Sequence, residues 1–203
     1  MSGWQVIENT GLTLVAVLER RLAALGLGGV TVGLATAAGF PSLAATATPH
    51  ISVFLFQIGA NAEMRNLAMR TLPDGSRQRQ PLPLELSYLI TPWGVRNPDE
   101  PTSDGLAAQE EARLHGAVLQ ACYEAAELGR VDLVERVAEP VWSETDGLQI
   151  ALETLPVETH YRIWDAAELG YHLSLVYRVR VAGIEPLAAA TSSRVQQADM
   201  EVA

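Results

Sequence analysis

Four histidines and one cysteine are the residues of this chain best suited to act as bases, nucleophiles or metal ligands. A metal site needs several such side chains at close spacing, so that they converge on one ion. None of the histidines makes such a spacing with another or with the cysteine; they are His50, His115, His160 and His172. We therefore predict that each packs in the fold or lies at the surface, and that the chain binds no metal.

Cys122 is the residue with the strongest intrinsic nucleophile. It falls on the apolar stripe of a predicted helix, where a free cysteine behaves as a small hydrophobic residue. A catalytic cysteine needs a neighbouring base and an accessible setting that lowers its pKa, and the sequence indicates neither. A single cysteine also excludes an internal disulfide framework and fits a reducing cytoplasm.

The glycine-rich stretch 26–33 superficially resembles a dinucleotide-binding loop. That loop needs a strand before it and a helix after it, so that N–H groups at the helix N-terminus meet the phosphate. Here a predicted helix precedes the glycines and a strand follows, which indicates a helix stop and a tight turn. The adjacent carboxylates Glu110 and Glu111 are expected to diverge on a helix. We predict no catalytic, cofactor-binding or metal-binding residue, although a missing motif does not exclude an enzyme.

Charge and length limit the classes of protein that remain. Fourteen basic residues against twenty-four acidic ones give a net charge of −10, and no concentrated positive patch is present for nucleic acid or an anionic membrane. The first residues do not have the pattern of a signal peptide, and no apolar stretch approaches the ~20 residues of a membrane span. The length fits one domain, residues 1–186, and a tail, residues 187–203, that is poor in large apolar residues.

The first half of the chain predicts one helix and three strands. Apolar residues recur at helical spacing over residues 6–25, and glycines then end this helix. Strands are expected over 30–35 and 50–58, with a loop between them. Residues 84–90 alternate between apolar and polar types, which predicts a strand that pairs with 50–58 in an antiparallel hairpin.

The second half begins with a predicted loop over 91–105, followed by a helix over 106–128 that Asp104 is placed to cap. The apolar stripe of this helix consists of small residues, which favours close packing onto a sheet. Residues 131–141 are ambiguous, with a strand as one reading.

Strands over 148–152 and 171–181 flank a third helix, which begins after Pro156 and carries Trp164. In the last strand the alternation places Tyr171 and Leu173 on the apolar face and His172 on the outer face. The sum is an α+β fold, with a mainly antiparallel or mixed β-sheet flanked by helices.

The four tryptophans lie at two kinds of position. Trp164 is expected in the core, because its helix lies beside the final strand. Trp4, Trp93 and Trp142 lie at the margins of predicted elements, where core packing and partner contact remain equally open.

Four groups of segments resemble, in order, the motifs of one protein family. They are HISVFLFQIGAN at 50–61 with MRN at 64–66, PLPLELSYLI at 81–90, LHGAVLQ at 114–120, and IW at 163–164 with YHLSLVYRVR at 171–180. Each motif alone is generic, but the order holds from about residue 5 to 186. The chain is similar to the cap, or tail-terminator, family of extracellular contractile injection systems. These are phage-tail-like particles related to the antifeeding prophage and the Photorhabdus virulence cassettes.

The resemblance implies a non-enzymatic structural subunit without a cofactor, which closes the baseplate-distal end of the tube and sheath. Its implied partners are other copies of itself, in a homohexameric ring, and the sheath and inner-tube proteins. It implies assembly in the cytoplasm as part of a particle that is released or retained, with no nucleic acid and no membrane insertion. Some family members carry a long C-terminal extension; here only residues 187–203 follow, as a flexible tail or a partner-binding arm.

Two alternatives stay open from the sequence. One is the terminator of an ordinary contractile phage tail, which would have the same physical properties. The other is a small soluble enzyme or ligand-binding domain whose site has no sequence signature. In a ring, the polar loops 70–83 and 91–105 would be natural places for contacts between subunits.

Overall fold

The computed structural model describes residues 3–61, 68–71, 77–97, 99–100, 102–136 and 140–186. Its helices are α1 Val6–Ala24, α2 Phe40–Ala44, α3 Ser103–Glu124 and α4 Val157–Ala166. Its strands are β1 Thr31–Ala35, β2 His50–Ala60, β3 Arg70–Thr71, β4 Arg77–Gln78, β5 Leu82–Trp93, β6 Glu127–Leu128, β7 Leu148–Glu153 and β8 Leu175–Ile184. None of the helices in these ranges is long and apolar enough to cross a membrane.

Six of the strands form one mixed sheet in the order β1-β2-β5-β8-β7-β6, and β3 pairs separately with β4. β1 lies parallel to β2, whereas the other neighbours in the large sheet are antiparallel. The predicted hairpin of β2 with β5 is confirmed, and Val53 lies opposite Ile90. The predicted α+β class is confirmed as well.

One face of the sheet is covered by α1 and α3. The alternating residues of β5 and β8 point into this interface, and Leu86 and Val179 are fully buried there. Leu18 of α1 and Val118 of α3 reach them from the helices. Burial of this kind contributes about 25 cal/mol per Å² of apolar surface, so the two helices and the sheet stabilise one another.

The opposite face of the sheet is covered at one end only. There α2 and α4 place Phe40 and Trp164 over the sheet, where they meet Trp93 of β5. The ring centroids of Phe40 and Trp164 lie 5.0 Å apart, and Trp93 meets Trp164 edge-on at 5.9 Å. These separations are typical of stabilising aromatic pairs.

The glycine-rich stretch after α1 is a helix stop, as predicted. Gly26 has φ +78°, which a glycine adopts without steric cost. The N–H of Leu27 donates to the carbonyl of Leu22 at 2.8 Å, and that of Gly26 donates to Ala23 at 3.0 Å. This is the Schellman pattern of a helix C-terminus, so the glycines end the helix and are not arranged as a phosphate-binding loop.

Three boundaries in the middle of the chain differ from prediction. The expected loop before Pro49 contains α2, which places Phe40 in a buried position over the sheet. The small neighbours of Phe40 carry no helical pattern, so the sequence did not predict this helix. β5 continues to Trp93, into the expected loop. Asp104 lies in the first turn of α3 and makes no side-chain cap there. The hydroxyl of Ser103 donates to the carbonyl of Asn97 at 2.6 Å, which ties the preceding loop to the helix without capping it.

The end of α3 and the start of β8 also differ from prediction. α3 ends at Glu124, so Leu128 lies in the short strand β6 and not in the helix. Of the ambiguous segment 131–141, the described part forms a short 3₁₀ turn, Arg130–Asp132, and irregular chain, not a strand. β8 begins at Leu175 and not at residue 171, because Pro92 opposite offers no N–H to continue the ladder. The MRN motif at 64–66, residues 72–76 of the predicted loop 70–83 and the tail 187–203 lie outside the described residues.

Candidate functional site

Polar and titratable side chains gather where β5 ends beside α3. His172 lies in the extended segment before β8, and its Nε2 is 3.2 Å from the carbonyl oxygen of Pro92 and 3.5 Å from Glu111 Oε1. His115 follows one turn after Glu111 on α3, and Ser174 follows His172 by two residues. A serine, a histidine and a carboxylate are the components of a catalytic triad, so their geometry decides what the cluster can do.

The serine of this cluster is not arranged as a nucleophile. Its hydroxyl donates to the carbonyl oxygen of His172 at 3.2 Å, and it accepts a hydrogen bond from the Thr91 hydroxyl at 2.9 Å. Both hydroxyls are buried. Nucleophilic catalysis needs a reachable hydroxyl that donates to a ring nitrogen of the base. Ser174 therefore fixes the segment before β8 to the end of β5.

The carboxylates of α3 bind the loop that follows β5. Glu111 accepts hydrogen bonds from the N–H of Gly94 at 3.2 Å and from Arg96 at 3.4 Å, while Glu110 accepts one from the N–H of Val95 at 3.2 Å. The expectation that the two carboxylates diverge is thus wrong, since adjacent carboxylates reach adjacent amides. This contact has no signal in the sequence, because it depends on how α3 and the loop meet.

His115 links α3 to the segment before β8. Its Nδ1 lies 2.7 Å from the carbonyl oxygen of Glu111, and its Nε2 lies 3.1 Å from that of Leu173. Each ring nitrogen faces a main-chain carbonyl, and a neutral imidazole donates to one of the two, according to its tautomer. The ring can donate to the carbonyl of Leu173, at the point where strand pairing between β5 and β8 stops opposite Pro92. This is a structural role.

His172 is held in a largely apolar setting. Its ring stacks on Trp93 with centroids 4.5 Å apart and lies 5.8 Å from Trp164. Burial lowers the pKa of His172, and the nearby Glu111 carboxylate partly opposes this. The ring is thus favoured in its neutral form. The prediction that His172 lies on the outer face of a strand is corrected: it packs against the aromatic cluster beside the sheet.

The other candidate residues are separated in the fold. Cys122 is buried on the sheet-facing side of α3, and burial raises its pKa to about 12, against the effect of a hydrogen bond with Tyr177. The predicted core position of the thiol is confirmed. His50 begins β2, and His160 lies on α4 against the ring of Tyr171. Among the residues that the structure describes, no group of three or more His, Cys, Asp or Glu side chains could hold a metal.

The structure settles three of the tryptophans as core residues. Trp164 is fully buried, as predicted. Trp93 and Trp142 are buried as well, and their indole N–H groups donate to Ser52 Oγ at 2.9 Å and to the carbonyl of Val134 at 3.0 Å. Trp4, at the start of α1, is 69% exposed and remains available for contact.

The uncovered half of the sheet presents paired charges to the surface. Arg180 Nε donates to Glu85 at 3.1 Å, and Arg178 forms an ion pair with Glu153. A crevice of about 470 Å³ opens beside them, between β6, β7 and the ends of β5 and β8. Its polar lining includes Gln149 and the already paired Arg180. A surface of paired charges suits contact with another protein better than chemistry on a small molecule.

The fold and these contacts define a class of protein: an α+β domain with a six-stranded mixed sheet, whose buried polar clusters hold loops and strand ends in place. Within that class, the chain belongs to the Pvc16 N-terminal domain family, whose model matches residues 10–198. The matched range covers nearly the whole chain and continues past the last strand.

Two solved structures are similar to this chain. One is described as the sheath/tube terminator, in the extended state, of an extracellular contractile injection system named PVC; it is 18% identical, with a TM-score of 0.52 over 94% of this chain. The other is described as the tube-terminating cap of the anti-feeding prophage, with 21% identity and a TM-score of 0.46 over 77% of this chain. The chain spans 65% of the first structure's length and 50% of the second's. No curated protein matches the sequence.

Proposed function

We propose that this chain is a structural terminator, or cap, that closes the baseplate-distal end of the tube and sheath of a contractile injection system. The observation that carries the proposal is the family membership together with the terminator-like fold over 94% of the chain. The chain acts by contact and shape, and it has no catalytic role.

The polar cluster at the end of β5 supports a structural role. A catalytic site keeps a base or a nucleophile free to meet its substrate. Here Ser174, His115 and the carboxylates of α3 are engaged with main-chain groups, and Cys122 is buried at a raised pKa. These contacts keep the segment before β8 and the loop after β5 rigid, which suits a subunit that must hold its shape at the end of a particle.

The proposed assembly is a homohexameric ring that contacts sheath and inner-tube proteins. Identical subunits close a ring through head-to-tail contacts, which need two different surfaces on each copy. The chain offers such surfaces in its charge-paired sheet face and in Trp4, an exposed tryptophan of the kind that anchors interfaces. In this proposal the ring assembles in the cytoplasm, with residues 1–186 as its body and residues 187–203 as an arm.

Two measurements test this proposal. Purified alone or with sheath and tube proteins, the chain should give a species near six times the 21.9 kDa of one copy in native mass spectrometry. Particles produced without the chain should vary widely in length, and a copy supplied in trans should restore a uniform length. Particles of uniform length in its absence would contradict the terminator role.

A further inference from the structure

β1 is an open edge of the large sheet. It pairs with β2 on one side, and within the described ranges no strand pairs with its other side. Exposed sheet edges invite pairing with other chains, and proteins usually protect them with charges, prolines or bulges. β1, with the sequence TVGLA, has none of these, and its pairing with β2 runs without a break in register. Among the usual forms of protection, only the short length of β1 limits pairing with another strand.

The sequence around this edge lacks charge over a long stretch. No Asp, Glu, Lys or Arg occurs between Arg21 and Glu63, although charged residues make up 19% of the chain. The stretch contains β1, α2 and β2, and Leu34 of β1 is 50% exposed. An exposed strand edge in uncharged surroundings lets another strand approach without burying an ion.

The other edge of the sheet is partly protected. β6 covers the start of β7, and the N–H of Ile150 donates to the carbonyl of Ala126 at 2.8 Å. At the end of β7, Glu153 is tied to Arg178 by an ion pair. β1 is therefore the better-suited acceptor edge of this sheet.

We propose that the β1 edge accepts, as an added antiparallel or parallel strand, the start of the segment 187–203 from a neighbouring copy of this chain. The inference rests on the ring proposed above. The segment follows β8, which has β5 on one side and β7 on the other, so it finds no free edge beside its own strand. Its first part, residues 187–193, carries no charge, which matches the surroundings of β1.

The length and position of the segment fit this contact. Extended chain spans at most about 3.3–3.6 Å per residue, so the segment could reach roughly 55 Å from Pro186, far enough to leave its own domain. The family match continues to residue 198, so it includes most of the segment. In strand addition the affinity comes from main-chain hydrogen bonds and little side-chain information is needed, which suits a run of Ala, Thr and Ser.

Cross-linking between two singly substituted chains tests the pairing directly. Leu34→Cys would be mixed, in a Cys122→Ala background, with Ala188→Cys, Ala189→Cys or Ala190→Cys in the same background. Because each chain then holds one cysteine, a disulfide between unlike chains forms only between copies. We expect at least one mixture to give a heterodimer at twice 21.9 kDa on mild oxidation, at least tenfold above a mixture with Val131→Cys in place of Leu34→Cys.

A charge on the edge gives the second test. Leu34→Lys should weaken self-association of the full chain at least tenfold, because a lysine on an open edge opposes strand pairing. Val131→Lys is the matched control, at a residue that is 93% exposed and outside the sheet, and it should leave association unchanged. Both variants should melt close to the wild-type temperature.

Three outcomes would overturn the inference. Rings that form with no cross-link at the three positions would place the arm elsewhere and leave the terminator role standing. A chain carrying both Leu34→Cys and Ala190→Cys that closes its disulfide within one copy would make the occupant the chain's own tail. Self-association of Leu34→Lys equal to that of wild type would show that the edge is not used. If copies cross-link as expected but the chain is not found on assembled particles, the strand-pairing proposal would stand and the proposed function would be contradicted.

Discussion

Replacing Trp164 by alanine should destabilise the domain by about 3 kcal/mol. The side chain is fully buried between α4 and the sheet, with Phe40 at 5.0 Å, Trp93 at 5.9 Å and His172 at 5.8 Å between ring centroids. Truncation of a buried tryptophan to alanine typically costs ~3–5 kcal/mol. We expect the lower end of this range, because the indole N–H is buried without a partner among the described protein atoms. Removing this unpaired donor offsets part of the free energy lost with the ring packing.

The assay is thermal and chemical unfolding of the isolated chain. For a protein of this length, 1 kcal/mol shifts Tm by roughly 2–4 °C, so Trp164→Ala should melt about 6–12 °C below wild type. Trp164→Phe keeps an aromatic ring and removes the unpaired N–H, and it should cost less than about 1.5 kcal/mol. Trp4→Ala is the exposed control and should stay within about 0.5 kcal/mol of wild type.

These variants separate core packing of Trp164 from a role in assembly. Trp164→Ala with wild-type melting but lost assembly would show that this tryptophan is an interface residue. Equal losses for Trp164→Ala and Trp164→Phe would show that the indole N–H is satisfied and that its partner, not ring packing, holds α4 to the sheet.

Three further predictions concern single sites. Glu168 lies just after the C-terminus of α4 with φ 57°, in a Schellman turn where glycine is the usual residue, so Glu168→Gly should raise the free energy of unfolding by about 0.5–1 kcal/mol in urea titrations. Burial lowers the pKa of His50, His160 and His172, so these side chains bind protons more readily in the unfolded chain than in the folded one. The free energy of unfolding should therefore be highest above pH 6.5, the ordinary histidine pKa, and should fall as pH drops below it. A flat Tm between pH 7.5 and 5.5 would contradict this. Cys122 should react with a thiol reagent at pH 8 only in denaturant, because burial raises its pKa to about 12; rapid labelling of the folded chain would contradict its buried position.

The strands were the most predictable part of the fold. β5 and β8 alternate between apolar and polar side chains over residues 84–88 and 177–181, and that period reflects the face that α1 and α3 cover. The same rule failed before Leu175. Residues 171–174 continue the alternation, but Pro92 breaks the ladder opposite them, and whether a proline lies opposite depends on strand register, which the pattern alone does not give.

The short helix α2 and the contacts of α3 could not be predicted for a related reason. Phe40 is the only large aromatic residue of a five-residue helix, so no helical period is visible, and its burial depends on Trp93 and Trp164 from distant parts of the chain. Glu110 and Glu111 look like ordinary solvated charge on a helix. Their partners are main-chain amides, which carry no signal in a sequence.

The proposed function could be reached from the sequence only through resemblance. Composition, charge and the scattered histidines left an enzyme and a structural subunit both open, because a site can exist without a motif. The order of four motif groups favoured one family, and the match over residues 10–198 shows membership in the Pvc16 N-terminal domain family. The open β1 edge was not predicted, because a strand is known to be an edge only once the sheet order is known.

Cryo-electron microscopy of assembled particles tests the central claim most directly. Particles would be purified from cells that produce sheath, tube, baseplate and this chain, and the map would be searched for the six-stranded sheet with its flanking helices. The account predicts density for this fold as a closed ring at the end opposite the baseplate, in contact with both tube and sheath. Intact particles with no density for the chain at either end would contradict it.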